Sequence, residues 1–305
     1  MASLTTGDKV YLTIDAGGTY IKSAVLDREG IVLEGSSFKT RSFSDGPKEV
    51  ILSAFSDTIT QGLKIISSMG KQLGGIGMAF PGPFDYRNGI PLMSHKFQSL
   101  YGLSLGEALS GNLSKYKNVP FVFVHDANAV LMGEQWKGNG QGFENVAVVT
   151  LGTGLGFAVS EKRKVLCNDL GGPLITIYGL PYKEGILEDT ISQRGILKSF
   201  ERYGGLMGIG TDVAAIGRWA EEGDRASILA FRETGSILGE ALKDILSERN
   251  IQCLLFGGQI SRSFSHLETA LGVELADVAS LARITVVKSI DFSAFWGILF
   301  AIKNN

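Results

Sequence analysis

The 305-residue chain contains little cysteine and little histidine. It has two cysteines, Cys167 and Cys253, and three histidines, His95, His125 and His266. Two distant cysteines do not make the disulfide framework of a small secreted domain, and the histidine spacing does not match that of zinc ligands. We therefore predict no disulfide and no zinc site, and we expect both cysteines to be small buried side chains in a reducing compartment.

The chain also lacks a strong net charge and a long apolar run. With 29 basic and 31 acidic residues, the net charge of −2 gives no electrostatic case for binding nucleic acid or an anionic membrane. No stretch approaches the roughly 20 apolar residues of a membrane span. The opening MASLTTGDKV has neither the basic start nor the apolar run of a signal peptide. We expect a cytoplasmic protein with no nucleic-acid partner and no membrane partner.

Glycine, in contrast, is abundant, with 40 residues, which is about twice the usual share. The stretch LTIDAGGTYIKSAVLDREGIVL, residues 12–33, places Asp15 after a buried-type strand and directly before a glycine-rich turn. Strand-like alternation resumes at Tyr20, so the pattern predicts a β-hairpin. The turn is either an ordinary tight turn or one whose bare N–H groups approach an anion. No helix follows it, so the phosphate loops that depend on a helix N-terminus do not apply.

The plan of this hairpin occurs a second time. Residues 146–166, VAVVTLGTGLGFAVSEKRKVL, again contain an apolar strand, a Gly-Thr turn, a strand with Ala-Val near its end and a charged turn. Two such hairpins, about 135 residues apart, predict two similar domains that face each other. A phosphate chain could then be held from both sides.

Other segments predict the elements between and after the hairpins. Residues 48–69 have apolar residues at helical spacing, and residues 74–85 form an apolar strand that runs into a Pro-Gly-Pro loop. Residues 251–264 predict a strand that ends at a glycine pair. Residues 291–305 predict a short apolar helix packed on the first domain.

A polar junction lies in residues 119–138, between a buried-type strand and a helix. Asp126 stands at this junction, where it could be only a helix N-cap. Its neighbours His125 and Asn128 make the junction richer in polar groups than a cap requires. At the later glycine pair, a ribose or a flat ring could lie against the backbone, although a plain strand-to-helix turn is the alternative.

These motifs, in this order, resemble the ROK family of sugar kinases over nearly the whole chain. The matching segments are DAGGTYIK, PGPFD, HDANAVLMGE, LGTGLG and FGGQI. The resemblance implies an α/β, two-domain actin-like ATPase (ribonuclease H-like) fold with a repeated hairpin. It implies a small N-terminal domain of residues 1–125 plus 291–305 and a large C-terminal domain of residues 126–290. No helix-turn-helix precedes the first strand, which argues against the family's repressor members.

The resemblance also implies an ATP-dependent carbohydrate kinase that phosphorylates a hexose-type hydroxyl, the 6-hydroxyl in glucokinase-type members. Asp126 would be the general base, and Asp15 would hold Mg²⁺ directly or through water. ATP and its phosphates would contact Asp15, Gly17, Gly18, Thr19, Lys22, Gly152, Thr153, Gly154, Gly257 and Gly258. The sugar would contact Pro81, Gly82, Lys96, His125, Asn128, Asp169 and Glu188. The partners implied are a sugar and a nucleotide, and a homodimer is a candidate assembly.

The sequence departs from the family pattern at the sugar motif. Asp169 stands where the family has glutamate, Gly172 stands where it has histidine, and no cysteine cluster for a zinc loop follows. Glu188 resembles the second sugar carboxylate, with a surface helix residue as the alternative. Lys96 replaces the asparagine that holds the sugar, which indicates either a different acceptor, such as a modified or glycosylated sugar, or simply a solvated lysine.

Two further functions remain open. A non-catalytic sugar-binding regulator of ROK type, without a DNA-binding domain, would explain the altered sugar motif, but the intact Asp126 and both phosphate turns argue against it. Another ATPase of this fold, such as an acetate kinase or a chaperone, is disfavoured by the short chain and by the lack of an obvious arginine in the cleft motifs. Neither the sugar nor the donor, ATP or polyphosphate, follows from the sequence.

Overall fold

The computed structural model describes residues 9–111, 116 and 118–305. The chain divides into two compact units. Of the described residues, the first contains those from 9 to 136, 167–172 and 292–305, and the second contains residues 137–166 and 173–291. Among the described residues, no helix combines the length and the apolar character needed to cross a membrane.

The first unit is built on a five-stranded sheet of order β3-β2-β1-β4-β7. The strands β1, β2 and β3 pair antiparallel, and β1, β4 and β7 pair parallel. The five strands are β1 (Lys9–Ala16), β2 (Tyr20–Leu26), β3 (Phe38–Arg41), β4 (Gln72–Phe80) and β7 (Phe121–His125). A small ribbon is formed by β5 (Phe84–Asp85) and β6 (Ile90–Pro91). The helices are α1 (Lys48–Ser68), α2 (Leu105–Ala108), α3 (Asp126–Lys137) and α9 (Ser293–Lys303), with a 3-10 turn at Gln98–Leu100.

Helices cover both faces of this sheet, which explains why β1 is apolar on both sides. Leu12 and Ile14 pack in one cluster with α1, whereas the alternate residue Tyr11 packs in another cluster with α9. Side chains at Gly75 and Gly77 of β4 would collide with Ile302 and Ile298 of α9, so these glycines let the helix lie directly on the strand. The expectation that the C-terminal helix packs on the first domain is confirmed.

The second unit contains a second five-stranded sheet, of order β10-β9-β8-β13-β14. Its strands are β8 (Val146–Leu151), β9 (Leu155–Glu161), β10 (Lys164–Val165), β13 (Cys253–Gly257) and β14 (Arg283–Val286). A two-stranded ribbon is formed by β11 (Pro181–Tyr182) and β12 (Gly185–Ile186). The helices are α4 (Leu187–Ile191), α5 (Gln193–Arg202), α6 (Val213–Glu221), α7 (Arg225–Glu248) and α8 (Phe264–Glu274), with a 3-10 helix at Gln259–Ser263.

The two sheets share one topology. Each consists of a central antiparallel hairpin, a third antiparallel strand beyond its second strand and two parallel strands beyond its first. The predicted hairpins at residues 12–33 and 146–166 are therefore confirmed, and the sequence repeat corresponds to a repeated sheet.

The compact units differ from the predicted domain ends at residues 126–136 and 167–172, which group with the first unit. The reason is packing. Side chains at Gly133 of α3 and Gly297 of α9 would overlap the backbone of the other helix, so α3 lies in direct backbone contact with α9. The segment 167–172 is attached to the first unit by the Leu170 carbonyl oxygen, which accepts a hydrogen bond from the Tyr86 N–H at 2.8 Å.

Candidate active site

The first glycine turn joins β1 to β2. The Gly17 N–H donates to the Tyr20 carbonyl at 3.1 Å, and a Cβ at position 17 would lie only 2.8 Å from that oxygen. Ser42 braces the turn from outside, since its hydroxyl donates to the Gly18 carbonyl at 2.5 Å and its N–H donates to the Thr19 carbonyl at 3.2 Å. Among the described residues, the amides of Gly18 and Thr19 have no acceptor. They are therefore available to an anion.

Asp15 and Asp126 come together at one edge of the first sheet. Because β1, β4 and β7 are parallel, their carboxyl ends meet there, and this edge is where open α/β sheets bind ligands. Burial, and secondly the neighbouring Asp126 carboxylate, raise the pKa of Asp15 to about 6, while Lys22, directly opposite on β2, lowers it. The two acids are thus close enough to repel each other.

Asp126 is the first residue of α3 and its side chain is 44% exposed, so a ligand can reach it. Its Oδ1 accepts the Ala127 N–H at 2.7 Å and lies 3.1 Å from His125 Nδ1. The Ala127 N–H also contacts His125 Nδ1 at 3.2 Å, so this ring nitrogen faces both the amide and the Asp126 carboxylate. Among the described residues, no hydrogen bond is made to the second oxygen, Oδ2. That oxygen is free to take a proton.

Asn128 follows on the first turn of α3 and is completely buried. Its Nδ2 donates weakly to Cys167 Sγ and to the Gly171 carbonyl, both at 3.5 Å. Within the part of the chain that the structure describes, its Oδ1 is buried without a partner. A buried acceptor that stays unpaired is costly, so this oxygen suits a ligand hydroxyl or a bound water.

Tyr86 is a residue that the sequence reasoning missed. It is buried, its hydroxyl donates to the Phe80 carbonyl at 2.9 Å, and its ring meets His125 edge-on. A Cβ at Gly82 would lie 3.5 Å from both the Tyr86 hydroxyl and His125 Cδ2. Burial, followed by the Asp126 charge, holds the pKa of Tyr86 well above its usual value. The signal in the sequence was the position of Tyr86 directly after PGPFD.

The loop 167–172 contains Asp169 and Gly172, the positions that correspond to the sugar motif. Asn168 Oδ1 accepts the N–H groups of Leu170 and Gly172, both at 3.0 Å, and so closes the loop on itself. A Cβ at Gly172 would lie 3.3 Å from Tyr86 Cε2, so the tyrosine ring occupies the space beside this position. Asp169 is exposed and, among the described residues, forms no hydrogen bond with these groups.

The cysteine expectation holds for one residue only. Cys253 is buried, as expected, whereas Cys167 is exposed, which corrects the prediction that both are buried. Cys167 is exposed because it stands at the start of the surface loop 167–172.

Lys96 lies at the first glycine turn. A Cβ at Gly18 would be 3.0 Å from Lys96 Cδ and 3.1 Å from Cε, so the lysine stem packs on the backbone of the turn. This places Lys96 beside a predicted phosphate-binding residue.

The second glycine turn joins β8 to β9 in the second unit. The Gly152 N–H donates to the Gly154 carbonyl at 3.1 Å. Glu188 Oε2 accepts the Leu155 N–H at 2.8 Å and would lie 3.0 Å from a Cβ at Gly154. Glu188 is therefore not a free surface side chain, because its carboxylate accepts a backbone hydrogen bond from this turn. Thr153 is exposed at the tip.

The glycine pair after β13 is fixed by packing. Gly258 has a φ of 82°, which favours glycine, and a side chain there would overlap the Leu151 carbonyl at the end of β8. The Gly257 carbonyl accepts the Ser261 hydroxyl at 2.6 Å. A plain strand-to-helix turn thus accounts for Gly258 without a ligand, and Gly257 is buried at the end of β13.

The carboxylate pair fits a magnesium ion that arrives with a nucleotide. Among the described residues, no group of three or more His, Cys, Asp and Glu side chains could hold a metal ion. Mg²⁺ is usually bound through one or two carboxylates together with substrate phosphates and water. Asp15 supplies a hard oxygen donor, and a cation beside it would offset the repulsion from Asp126.

A cavity of about 930 Å³ also lies in the first unit, beside the sheet-edge strand β7. Its lining includes Tyr86, Phe123 and Met132 but none of the predicted site residues. The candidate site is therefore the carboxyl edge of the sheet, and the cavity is a separate feature.

Comparison with known proteins decides the family. The ROK family model matches residues 11–171, which is more than half of the chain. This chain belongs to the ROK family. It is 24% identical to a glucokinase of Halalkalibacterium halodurans over 285 residues, which cover 84% of this chain and 82% of that protein. It is 25% identical to a glucokinase of Thermotoga maritima, with 82% of each chain covered.

Solved ROK structures share the fold of this ROK protein. A ROK family glucokinase from Streptomyces griseus, in complex with glucose and AMPPNP, superposes with a TM-score of 0.81 at 21% identity and covers 97% of this chain and 100% of its own. A ROK family transcriptional regulator superposes with a TM-score of 0.79 at 18% identity and covers 97% of this chain and 81% of its own. The expected actin-like ATPase fold is confirmed.

Proposed function

We propose that this ROK protein is an ATP-dependent sugar kinase that transfers the γ-phosphoryl group to a hexose-type hydroxyl, as in glucokinases, at the 6-position. The observation that carries the proposal is the geometry of the first unit. One partly exposed acid, Asp126, lies beside a second acid suited to Mg²⁺, Asp15, and the turn that follows Asp15 offers free amides. The glucokinase relatives support the same activity.

In the proposed reaction, Asp126 Oδ2 takes the proton of the attacking sugar hydroxyl. The hydroxyl oxygen then forms a bond to the γ-phosphorus, the bond from phosphorus to the ADP oxygen breaks, and sugar phosphate and ADP leave. Phosphoryl transfer depends chiefly on positioning and charge neutralisation. The amides of Gly18 and Thr19 would bind phosphate oxygens, and Lys22 would add positive charge opposite Asp15. Mg²⁺ held at Asp15 would neutralise part of the phosphate charge.

The sugar would be held near Asp126 by groups of the first unit. Asn128 Oδ1 would accept a hydrogen bond from a sugar hydroxyl, and His125 would contact the sugar through Nε2. The Pro81-Gly82 backbone would form one wall, closed from behind by Tyr86. Asp169 is exposed, so we assign it a role only in contacts at the outer part of the sugar, such as a substituent.

The second unit would contribute to nucleotide binding. The amides of the turn Gly152, Thr153 and Gly154 would bind phosphate, with Glu188 holding that turn in shape. The backbone at Gly257 and Gly258 would contact the adenosine. We further propose that the protein acts in the cytoplasm, where ATP is supplied. We also propose that it forms a homodimer, which light scattering tests.

The test is ADP release from Mg·ATP in the presence of free hexoses, amino sugars, N-acetylated amino sugars and β-glucosides. Polyphosphate replaces ATP in a parallel series, and Asp126→Asn is the matched control. We expect turnover with one sugar class, and we expect the variant to lose at least about a hundredfold in rate. Absence of turnover across the panel with both donors would reject the kinase.

A second candidate is a sugar-binding regulator. The structural likeness to a ROK transcriptional regulator favours it, as does the altered sugar motif. A regulator needs no base, so it would bind a sugar, visible as a rise in the unfolding temperature, without releasing ADP. If Asp126 does not touch the sugar, Asp126→Asn should bind the sugar as tightly as the wild type.

A further inference from the structure

The Lys96 side chain reaches the first phosphate turn. Its stem packs on Gly18, with Cδ and Cε at 3.0 and 3.1 Å and Nζ at 3.6 Å from the position of a Cβ there. Among the described residues, no carboxylate and no hydrogen-bond acceptor contacts the ammonium group. A lysine is therefore held by its stem while its charge stays available.

The backbone beside Lys96 is held in a costly conformation. Phe97 has a φ of 60°, in the left-handed region that a bulky side chain rarely adopts. Its ring is completely buried, 4.8 Å from the Phe80 ring and 5.9 Å from the Phe55 ring between centroids. Its N–H donates to the Ser44 carbonyl at 2.6 Å. These contacts hold Phe97 in place, and they fix the direction in which its neighbour Lys96 leaves the backbone.

One segment of chain holds both the lysine and the turn. Ser44 anchors the residue after Lys96, and Ser42, two residues earlier, donates to the Gly18 carbonyl at 2.5 Å. The backbone beside Lys96 and the turn of Gly18 and Thr19 are thus both held by residues 42–44. Positive charge and free amides on one support are the arrangement that binds a phosphoryl group.

We propose that Lys96 binds the terminal phosphoryl group of the donor at the first glycine turn, instead of the sugar. This inference rests on the proposed kinase function and assigns one residue of that site. Lysine acts on phosphate as a compact point charge. The terminal phosphoryl group is the part of the donor that must lie near Asp126, and Lys96, the turn and Asp126 all belong to the first unit.

The test compares Lys96→Met, which keeps the stem on Gly18, with Lys96→Arg, which keeps the charge. Calorimetry measures Mg·AMPPNP, Mg·ADP and sugar binding separately, because only the first carries a terminal γ-phosphoryl group. We expect Lys96→Met to weaken AMPPNP binding about tenfold or more, to change ADP binding about threefold at most, and to leave sugar binding unchanged. Lys96→Arg should restore most of the loss.

A matched control is Lys39→Met, which removes an exposed positive charge that lies over the Tyr20 ring on the neighbouring strand. It should leave AMPPNP binding within about twofold, since exposed charges are screened. Unfolding temperatures of all variants check that the fold is kept.

The other outcomes contradict the inference in different ways. Weaker sugar binding with normal AMPPNP binding in Lys96→Met would make Lys96 a sugar ligand, and equal binding of all three ligands would make it a solvated lysine. A wild-type protein that binds AMPPNP in a Lys96-dependent way but phosphorylates no sugar would overturn the proposed function and keep this inference. A wild-type protein that binds no nucleotide would overturn both.

Discussion

At the scale of single residues, the central feature is a pair of acids at the carboxyl edge of the first sheet. Asp15 is the next-to-last residue of β1 and Asp126 begins α3, and burial, followed by the repulsion between the two acids, raises the pKa of Asp15 to about 6. An acid kept partly protonated near neutral pH is costly to ionise, and such groups concentrate at functional sites. The pair should therefore affect the stability of the protein as well as metal binding.

Asp15→Asn should stabilise the nucleotide-free protein at alkaline pH. The folded pKa of about 6 lies above the ordinary value of 3.8, so the folded wild type binds the proton more tightly than the unfolded chain. Ionised Asp15 therefore lowers wild-type stability as pH rises from about 4 to 6, and the cost persists above that range. Urea unfolding in EDTA should show a gain in the free energy of unfolding on the order of 3 kcal/mol at pH 8 that shrinks toward pH 4. A variant that is less stable at pH 8, or a gain independent of pH, would contradict the shift.

Glu188 offers a second test at this scale. Since its carboxylate accepts the Leu155 N–H at 2.8 Å, Glu188→Ala should loosen the second turn and raise KM for ATP about tenfold, because a charged hydrogen bond is lost. Glu188→Gln keeps an acceptor and should retain most of the affinity. A rise in KM for the sugar alone would instead indicate that Glu188 binds the sugar.

Asp15 and Asp126 could be predicted from the sequence because each stands between a buried-type strand and a glycine turn or a helix. Tyr86 directly follows the Pro-Gly loop, but the sequence could not show its contacts with His125 and Gly172, which are far away along the chain. Nor could it show that Lys96 lies on Gly18. Such contacts depend on how a loop folds back, and no local pattern encodes that path.

At the scale of elements, the helix that carries the proposed base is positioned by the C-terminal helix. The helices α3 and α9 approach so closely that neither Gly133 nor Gly297 has room for a side chain. Asp126 begins α3, so the depth at which α9 packs sets the position of the proposed base. The local apolar pattern predicted α9 and its partner sheet, but the helix-to-helix contact rests on two glycines that no periodicity distinguishes.

Gly297→Ala should therefore destabilise the protein by at least about 2 kcal/mol, because a methyl group would overlap the Ala129 carbonyl. The unfolding temperature should fall by several degrees, and turnover should fall as Asp126 shifts.

Gly272→Ala in α8 is the matched control, since a side chain there meets nothing within 4 Å. Alanine favours a helix interior over glycine by about 1 kcal/mol, so this control should be neutral or stabilising. If the two variants had equal unfolding temperatures, the close packing of α3 and α9 would be refuted.

At the scale of the whole molecule, the sequence repeat predicted two similar domains, and the described residues contain two five-stranded sheets with the same arrangement of strands. Local alternation is enough to predict a hairpin, so both hairpins could be found. The grouping of residues 126–136 and 167–172 with the first unit could not be predicted. It depends on tertiary contacts, the glycine crossing of α3 with α9 and the hydrogen bond between Tyr86 and Leu170.

The proposed kinase activity is tested most directly by identifying and quantifying the products of one reaction, with wild type and Asp126→Asn side by side. After incubation with Mg·ATP and the sugar class that supports ADP release, mass spectrometry and ³¹P NMR measure sugar phosphate and ADP. We predict one sugar phosphate per ADP with the phosphoryl group on the 6-oxygen, and almost none from the variant. ADP formed without sugar phosphate, or equal sugar phosphate from Asp126→Asn, would contradict Asp126 as the base of a sugar kinase.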